Sequence, residues 1–184
     1  DSKIGDGDHG IGMALGMEEV KKVLHKLNGV DSVYKLFEEA GNAMLMSMGG
    51  ASGVIFGSMY LAGAKDKAPK ASLTAFDLAD MEEKSLNSVV EIGHAGLGDK
   101  TMVDALHPVV ITMKNNADKG LLEMLVAAEE AARTGVENTK KYVAKFGRAK
   151  SLGERAIGFQ DAGATSVYLI IQGMREFVEG KLEV

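Results

Sequence analysis

Apolar residues along this chain recur every three or four positions, the period of helices buried on one face. From Ile11 to Leu27 the residues Met13, Met17, Val20, Val23, Leu24 and Leu27 share one side, and Glu18, Glu19, Lys21 and Lys22 take the other. Asn28-Gly29 reads as the stop. A second helix, capped by Asp31 or Ser32, carries Val33, Leu36, Phe37, Ala40, Met44 and Leu45 inward and runs into a small-residue break over Met48–Gly53. Val54 to Ala64 has few charges and is too long for a strand, which predicts a buried helix. Residues 65–73 form a surface linker, and Thr74 with Asp77 makes a capping pair for a helix from Ala75 to about Ile92. Next come a helix from about Thr101 to Asn115, with Pro108 as a candidate kink, and a long helix from Leu121 to Phe146, weakened by Gly135. The last helix, Ala164 to about Glu179, is strongly apolar through Val167, Leu169, Ile170 and Ile171. No alternating strand pattern and no fixed-period repeat interrupts this series. The expected fold class is all-α, in a single domain over residues 1–184.

Composition adds exclusions. A net charge of −5 with no basic tract argues against nucleic acid as a partner. The absence of cysteine removes disulfides, thiolate metal sites and a cysteine nucleophile, and fits a cytoplasmic protein. No apolar run is long enough for a transmembrane helix, so no membrane partner is expected. The eleven methionines are mostly core filler. His25 reads as solvated, His94 as surface and His107, beside Pro108, as structural.

The chemistry concentrates at the start of the chain. Asp1, Asp6 and Asp8 lie among Gly5, Gly7, Gly10 and Gly12. Such a loop turns sharply, and three acids held together repel unless a cation stands between them. All-oxygen ligands suit Mg²⁺ or Ca²⁺ rather than zinc, and an EF-hand is disfavoured because positions 10–12 are Gly-Ile-Gly. A polar Gly/Asp turn without metal is the competing reading. Further glycine-rich loops at 49–53, 93–101 and 147–163 alternate with the helices. In an antiparallel bundle such loops fall at one end and form a mouth suited to phosphate, with Lys100, Arg148 and Arg155 as candidate cations. Lys100 beside Asp99, and Arg155 beside Glu154, are equally suited to ion pairs that hold their loops.

Four blocks carry a resemblance to a known family. They are Gly5-Asp6-Gly7-Asp8-His9-Gly10, Gly49-Gly50-Ala51-Ser52-Gly53, Gly98-Asp99-Lys100-Thr101-Met102, and Gly147-Arg148-Ala149 with Leu152-Gly153-Glu154-Arg155, extended by Ile157 to Ser166. In this order, across nearly the whole chain, they resemble the ADP-binding L subunit of dihydroxyacetone kinase. The resemblance implies an antiparallel eight-helix barrel or bundle with nucleotide and Mg²⁺ at one end. Its first helix would lie upstream of Asp1, a segment expected to be missing here. It implies Mg²⁺, two ions, on Asp1, Asp6 and Asp8. The implied nucleotide contacts are His9, Gly10, Ile11, Gly12, Ala51, Ser52, Gly93, Met102, Arg148, Asp161, Ala162 and Gly163.

His9 resembles the subunits that depend on the phosphotransferase system, where single-chain ATP-dependent kinases tend to carry Cys. In that type, bound ADP is phosphorylated in place by a phosphohistidine on a partner M subunit. The resulting ATP then phosphorylates dihydroxyacetone, or a related short ketose, on a partner K subunit. Gly12 stands where the family usually has Asn, Phe159 where it has His, and Ala162 where it has Pro, which suggests a paralogous branch. The other functional classes are a direct ATP-dependent ketose kinase subunit and a nucleotide-binding regulatory module. No nucleophile–base pair is visible, so the chain by itself is expected to have no kinase turnover.

Overall fold

The computed structural model describes residues 1–182. Among them the fold is all-α: seven α-helices and two 3₁₀ helices, with no strand. Contacts divide the chain into two compact units, His9–His94 and, separately, Asp1–Asp8 with the chain from Ala95 onward.

The first unit holds α1 (His9–Lys26), α2 (Val33–Ser47), α3 (Gly50–Ala64) and α4 (Ala75–Gly93). Helix α2 packs against α1 and α3, and α3 against α4. Their apolar stripes close over Met44, Phe56, Met59, Met81, Leu86 and Val89, all buried. Thr74 and Asp77 form the expected capping box, which satisfies two orphan amides at the start of α4. Ser32 is the N-cap of α2, but its hydroxyl accepts from the Lys70 amide instead of from the helix. Together with the Val33 amide on the Lys70 carbonyl, this ties the linker over residues 65–73 to the start of α2.

The other unit holds α5 (Val103–Asn116), a 3₁₀ turn at Ala117–Lys119, α6 (Leu121–Thr139), a 3₁₀ segment at Arg148–Ala156 and α7 (Ala162–Leu182). Leu106, Val109 and Met113 of α5 are fully buried, as are Met124, Leu125, Ala128 and Ala132 of α6 and Val167 and Ile171 of α7. Arg175 of α7 pairs with Glu129 of α6 at 2.7 Å and with Glu179 one turn on, binding the two helices along a half-exposed seam.

One expectation needs correction, and two readings gain detail. Helix α6 ends at Thr139, well short of Phe146, because tertiary bonds take the carbonyls that another turn would need. Thr139 O accepts from Lys100 Nζ, and Lys140 O accepts from the Gly158 amide. Helix α7 does not bury its whole apolar run: Leu169 is exposed while Val167 and Ile171 are inside. Gly135 is no mere weakness of α6. A Cβ there would lie 2.3 Å from the Asp104 carbonyl oxygen of α5 and 2.7 Å from Ala105 Cα. Pro108, four residues on, has no N–H to offer that same carbonyl. The missing hydrogen bond and the missing side chain meet at one point of the α5–α6 contact.

Candidate functional site

Ile4 fixes the first loop. It is buried against Ala144, Ala149, Leu152 and Ala156, so the 3₁₀ segment and the loop share a small apolar cluster. The Ile4 and Gly5 amides both donate to the Asp1 carbonyl, at 3.0 and 2.7 Å, curling residues 1–5 into a turn. A Cβ at position 5 would stand 1.8 Å from Asp1 Oδ1, so the Asp1 carboxylate occupies the space that only glycine leaves open. Gly7, at φ 79°, takes the left-handed conformation that turns the chain toward Asp8.

The result is a cluster in which Asp1, Asp6 and Asp8 each offer one oxygen within 4.8 Å of the others. Three oxygen donors on one tight loop, with no nitrogen or sulfur among them, fit a hard divalent cation. Arg148 opens the 3₁₀ segment, and its Nε donates to Asp6 Oδ2 at 2.7 Å. The Asp6 carboxyl sits below the usual carboxylate range, first through a hydrogen bond with Asp8 and, against some desolvation, through its own amide and Arg148. Arg148 thus balances part of the charge that a cation would balance.

Several candidate positions are not loop residues but first-turn helix residues. His9, Gly10, Ile11 and Gly12 form the first turn of α1, Ala51 and Ser52 that of α3, and Ala162 and Gly163 that of α7. Helix N-termini direct backbone amides outward and attract anions. Within the His9–His94 unit, His9 Nδ1 lies 3.3 Å from Ser52 Oγ, and its ring is tilted against Phe56 with centroids 6.1 Å apart. Gly93 ends α4 beside Ile55, whose Cδ1 would be 3.7 Å from a Cβ there.

In the other unit, Met102 is buried at the head of α5, and its Cβ would lie 3.2 Å from a Cβ on Gly163. Asp161 Oδ2 accepts from the Ala164 amide at 2.8 Å and so caps α7. Burial raises the Asp161 pKa to about 6; the Ala164 amide opposes the rise, Asp104 adds to it, and Lys100 opposes it. Each unit therefore gathers its own share of the expected residues. The open groove over α2, α3 and α4, lined by Asn42, Ser58, Leu61, Lys65 and Ser88, includes none of them.

The expected surface cations divide differently. Asp99 pairs with Lys145 at 2.6 Å, and Lys100 turns inward to 1% exposure. Lys100 is thus neither a phosphate cation nor the partner of Asp99. Arg155 Nε donates to the Leu152 carbonyl, within its own turn. His25 and His94 are exposed, as expected. Among the described residues no helix is long and apolar enough to cross a membrane.

Comparison with known proteins adds a common pattern. The DAK2 domain matches residues 3–176, spanning both units. The chain is 38% identical over 180 residues to the ADP-binding subunit DhaL of PEP-dependent dihydroxyacetone kinase 2 from Listeria innocua serovar 6a, covering 96% of this chain and 82% of that one. It is 37% identical over 174 residues to the ADP-binding subunit DhaL of PEP-dependent dihydroxyacetone kinase from Escherichia coli K12, covering 94% and 82%. A crystal structure of the dihydroxyacetone kinase from C. freundii in complex with AMP-PNP and Mg2+ superposes with a TM-score of 0.72 at 27% identity, over 96% of this chain and 29% of that one.

Proposed function

The chain belongs to the DAK2 domain family, and from that premise we propose that it is the nucleotide-binding subunit of a phosphoenolpyruvate-dependent dihydroxyacetone kinase. In this reading ADP stays on the chain, is phosphorylated there by a phosphohistidine M subunit, and passes the phosphoryl group to a short ketose on a K subunit. The observation that carries it is the convergence of Asp1, Asp6 and Asp8 on one glycine-shaped loop. The match over most of the length of two ADP-binding subunits supports a subunit over a self-contained kinase.

Bound Mg²⁺ would neutralise phosphate oxygens as charge shifts during transfer. Asp1, Asp6 and Asp8 would hold it, and Gly5 keeps the Asp1 carboxylate in line with the other two. Arg148, now spent on Asp6, becomes available to a phosphate once a cation takes over that charge. The first turns of α1, α3 and α7 would offer amides to the nucleotide through His9, Gly10, Ile11, Gly12, Ala51, Ser52, Ala162 and Gly163, with Gly93, Met102 and Asp161 completing the set. No nucleophile–base pair accompanies these residues, so in-line positioning of the ketose is left to the partner.

The test is a turnover assay. Purified chain with ATP, Mg²⁺ and dihydroxyacetone gives no multiple turnover; adding K and M partners with a phosphoenolpyruvate-fed phosphohistidine supply restores it. Steady turnover by the chain alone would overturn the subunit reading in favour of a direct ATP-dependent kinase. Nucleotide binding without transfer under the full mixture would favour a regulatory module.

A further inference from the structure

Lys100 combines two costly features. It is a non-glycine residue at φ 60°, and its side chain is 1% exposed. Left-handed backbone and a buried ammonium each oppose folding, so both persist only where the surroundings determine them. Those surroundings are specific. Lys100 Nζ donates to the Thr139 carbonyl, the last of α6, at 2.6 Å, and to the Phe159 carbonyl in the turn before α7. Thr139 adds a second tie: its hydroxyl donates to Val136 O at 2.6 Å and accepts from the Asp161 amide at 2.9 Å. Asp161 in turn caps α7 through the Ala164 amide. Burial lowers the Lys100 pKa from its ordinary value, and the carboxylates of Asp161 and Asp104 offset only part of that fall. Asp104 is itself held by the Gly98 and Thr101 amides at 2.6 and 2.9 Å.

One buried cation therefore joins the 98–104 loop, the end of α6, the turn at Phe159 and, through Thr139 and Asp161, the start of α7. We propose that Lys100 is a positioning residue for the nucleotide. Its ammonium fixes the turn over residues 158–161 so that Asp161, Ala162 and Gly163 are presented in one orientation, while Lys100 itself touches no nucleotide. The proposal rests on the reading of Asp161, Ala162 and Gly163 as nucleotide contacts. It assigns a task to a residue whose motif position alone suggests a surface cation. Preorganisation of this kind improves affinity by reducing what must be ordered on binding.

The experiment compares the whole chain with Lys100→Met, which keeps the stem and removes the charge, and with Thr139→Val, which removes only the hydroxyl tie. Three readouts are needed: amide hydrogen exchange without nucleotide, the titration of the Asp161 carboxyl by NMR, and Mg–ADP affinity by calorimetry. The expected result in both variants is faster exchange confined to Gly158, Asp161 and Ala164, with Mg–ADP affinity lower by about tenfold or more. In Lys100→Met the Asp161 midpoint also rises above its wild-type value of about 6, because a favourable charge is gone. Should Lys100→Met fail to fold, Thr139→Val still tests whether the pinned turn sets Mg–ADP affinity, and unchanged affinity there would overturn the proposal. Unchanged affinity with loosened exchange, or protection lost evenly over α5, α6 and α7, would overturn the positioning role in favour of a purely structural one. A wild-type chain that binds no Mg–ADP would instead remove the functional reading, and the exchange and titration results would then report on the pin alone.

Discussion

Glu82 offers the most quantitative check on how this chain is packed. It lies on α4 at 7% exposure, on the stripe that includes Leu78, Ala79, Ser85, Leu86 and Val89. Tyr60 of α3 senses it: the Tyr60 pKa is raised by burial and by the Glu82 charge. Burial alone raises the Glu82 carboxyl from 4.5 to about 7. A raised acid pKa means the folded chain binds the proton more tightly than the unfolded chain does. The stabilisation is therefore fully present below 4.5 and is lost as pH rises through about 7. At about 1.4 kcal/mol per tenfold difference in proton affinity, the loss across that window is roughly 3 kcal/mol.

Glu82→Gln keeps the shape and cannot ionise, so it removes that dependence. Urea unfolding of both proteins at steps from about pH 5 to about pH 9 isolates the effect, because every other titrating group is common to the pair. The expected result is that the variant gains on the wild type as pH rises and that the difference levels off above about pH 8, having moved by about 2 kcal/mol or more over the range. A difference that stays flat would refute the argument, since it would place the Glu82 carboxyl in water.

Two further substitutions test close packing and the family departure. Gly135→Ala puts a Cβ against the Asp104 carbonyl and should cost about 1–3 kcal/mol in urea unfolding, as overpacking does where backbone cannot yield. Gly12→Asn, by contrast, meets no atom within 4 Å of the new Cβ and should leave the melting temperature unchanged or slightly raised. Calorimetry on the same variant then shows whether Asn at this position adds a nucleotide contact, in which case Mg–ADP binds more tightly.

Much of the fold was legible because helices bury a stripe with a local period. The capping box at Thr74 and Asp77 lies within one turn, so it could be read directly from the sequence. The misplaced boundaries have two causes. Glycines in the first turns of α1 and α3 read as loop on propensity, yet tertiary packing carries those helices back to His9 and Gly50. The end of α6 is set by Lys100 and Gly158, distant in sequence, and no local pattern shows it. The acid loop was visible from composition, but the reason Gly5 is needed was not, because it depends on where the Asp1 carboxylate points. Lys100 looked like a surface cation because its partners are backbone carbonyls, which leave no mark on a sequence. Glu82 did leave a mark: a lone acid on the stripe of α4 that is otherwise apolar apart from Ser85 is visible on a helical wheel.

In the proposed function the acid loop holds the metal through which this chain binds a nucleotide. Asp8→Asn tests it most directly, since the amide keeps the size of the carboxylate and leaves the Arg148–Asp6 pair in place. Isothermal calorimetry with ADP, with and without Mg²⁺, compares this variant with the wild type. Wild-type binding should require Mg²⁺, and the variant should lose about tenfold or more in Mg–ADP affinity while keeping its helical content. Equal affinity in the two proteins, or wild-type binding indifferent to Mg²⁺, would contradict it.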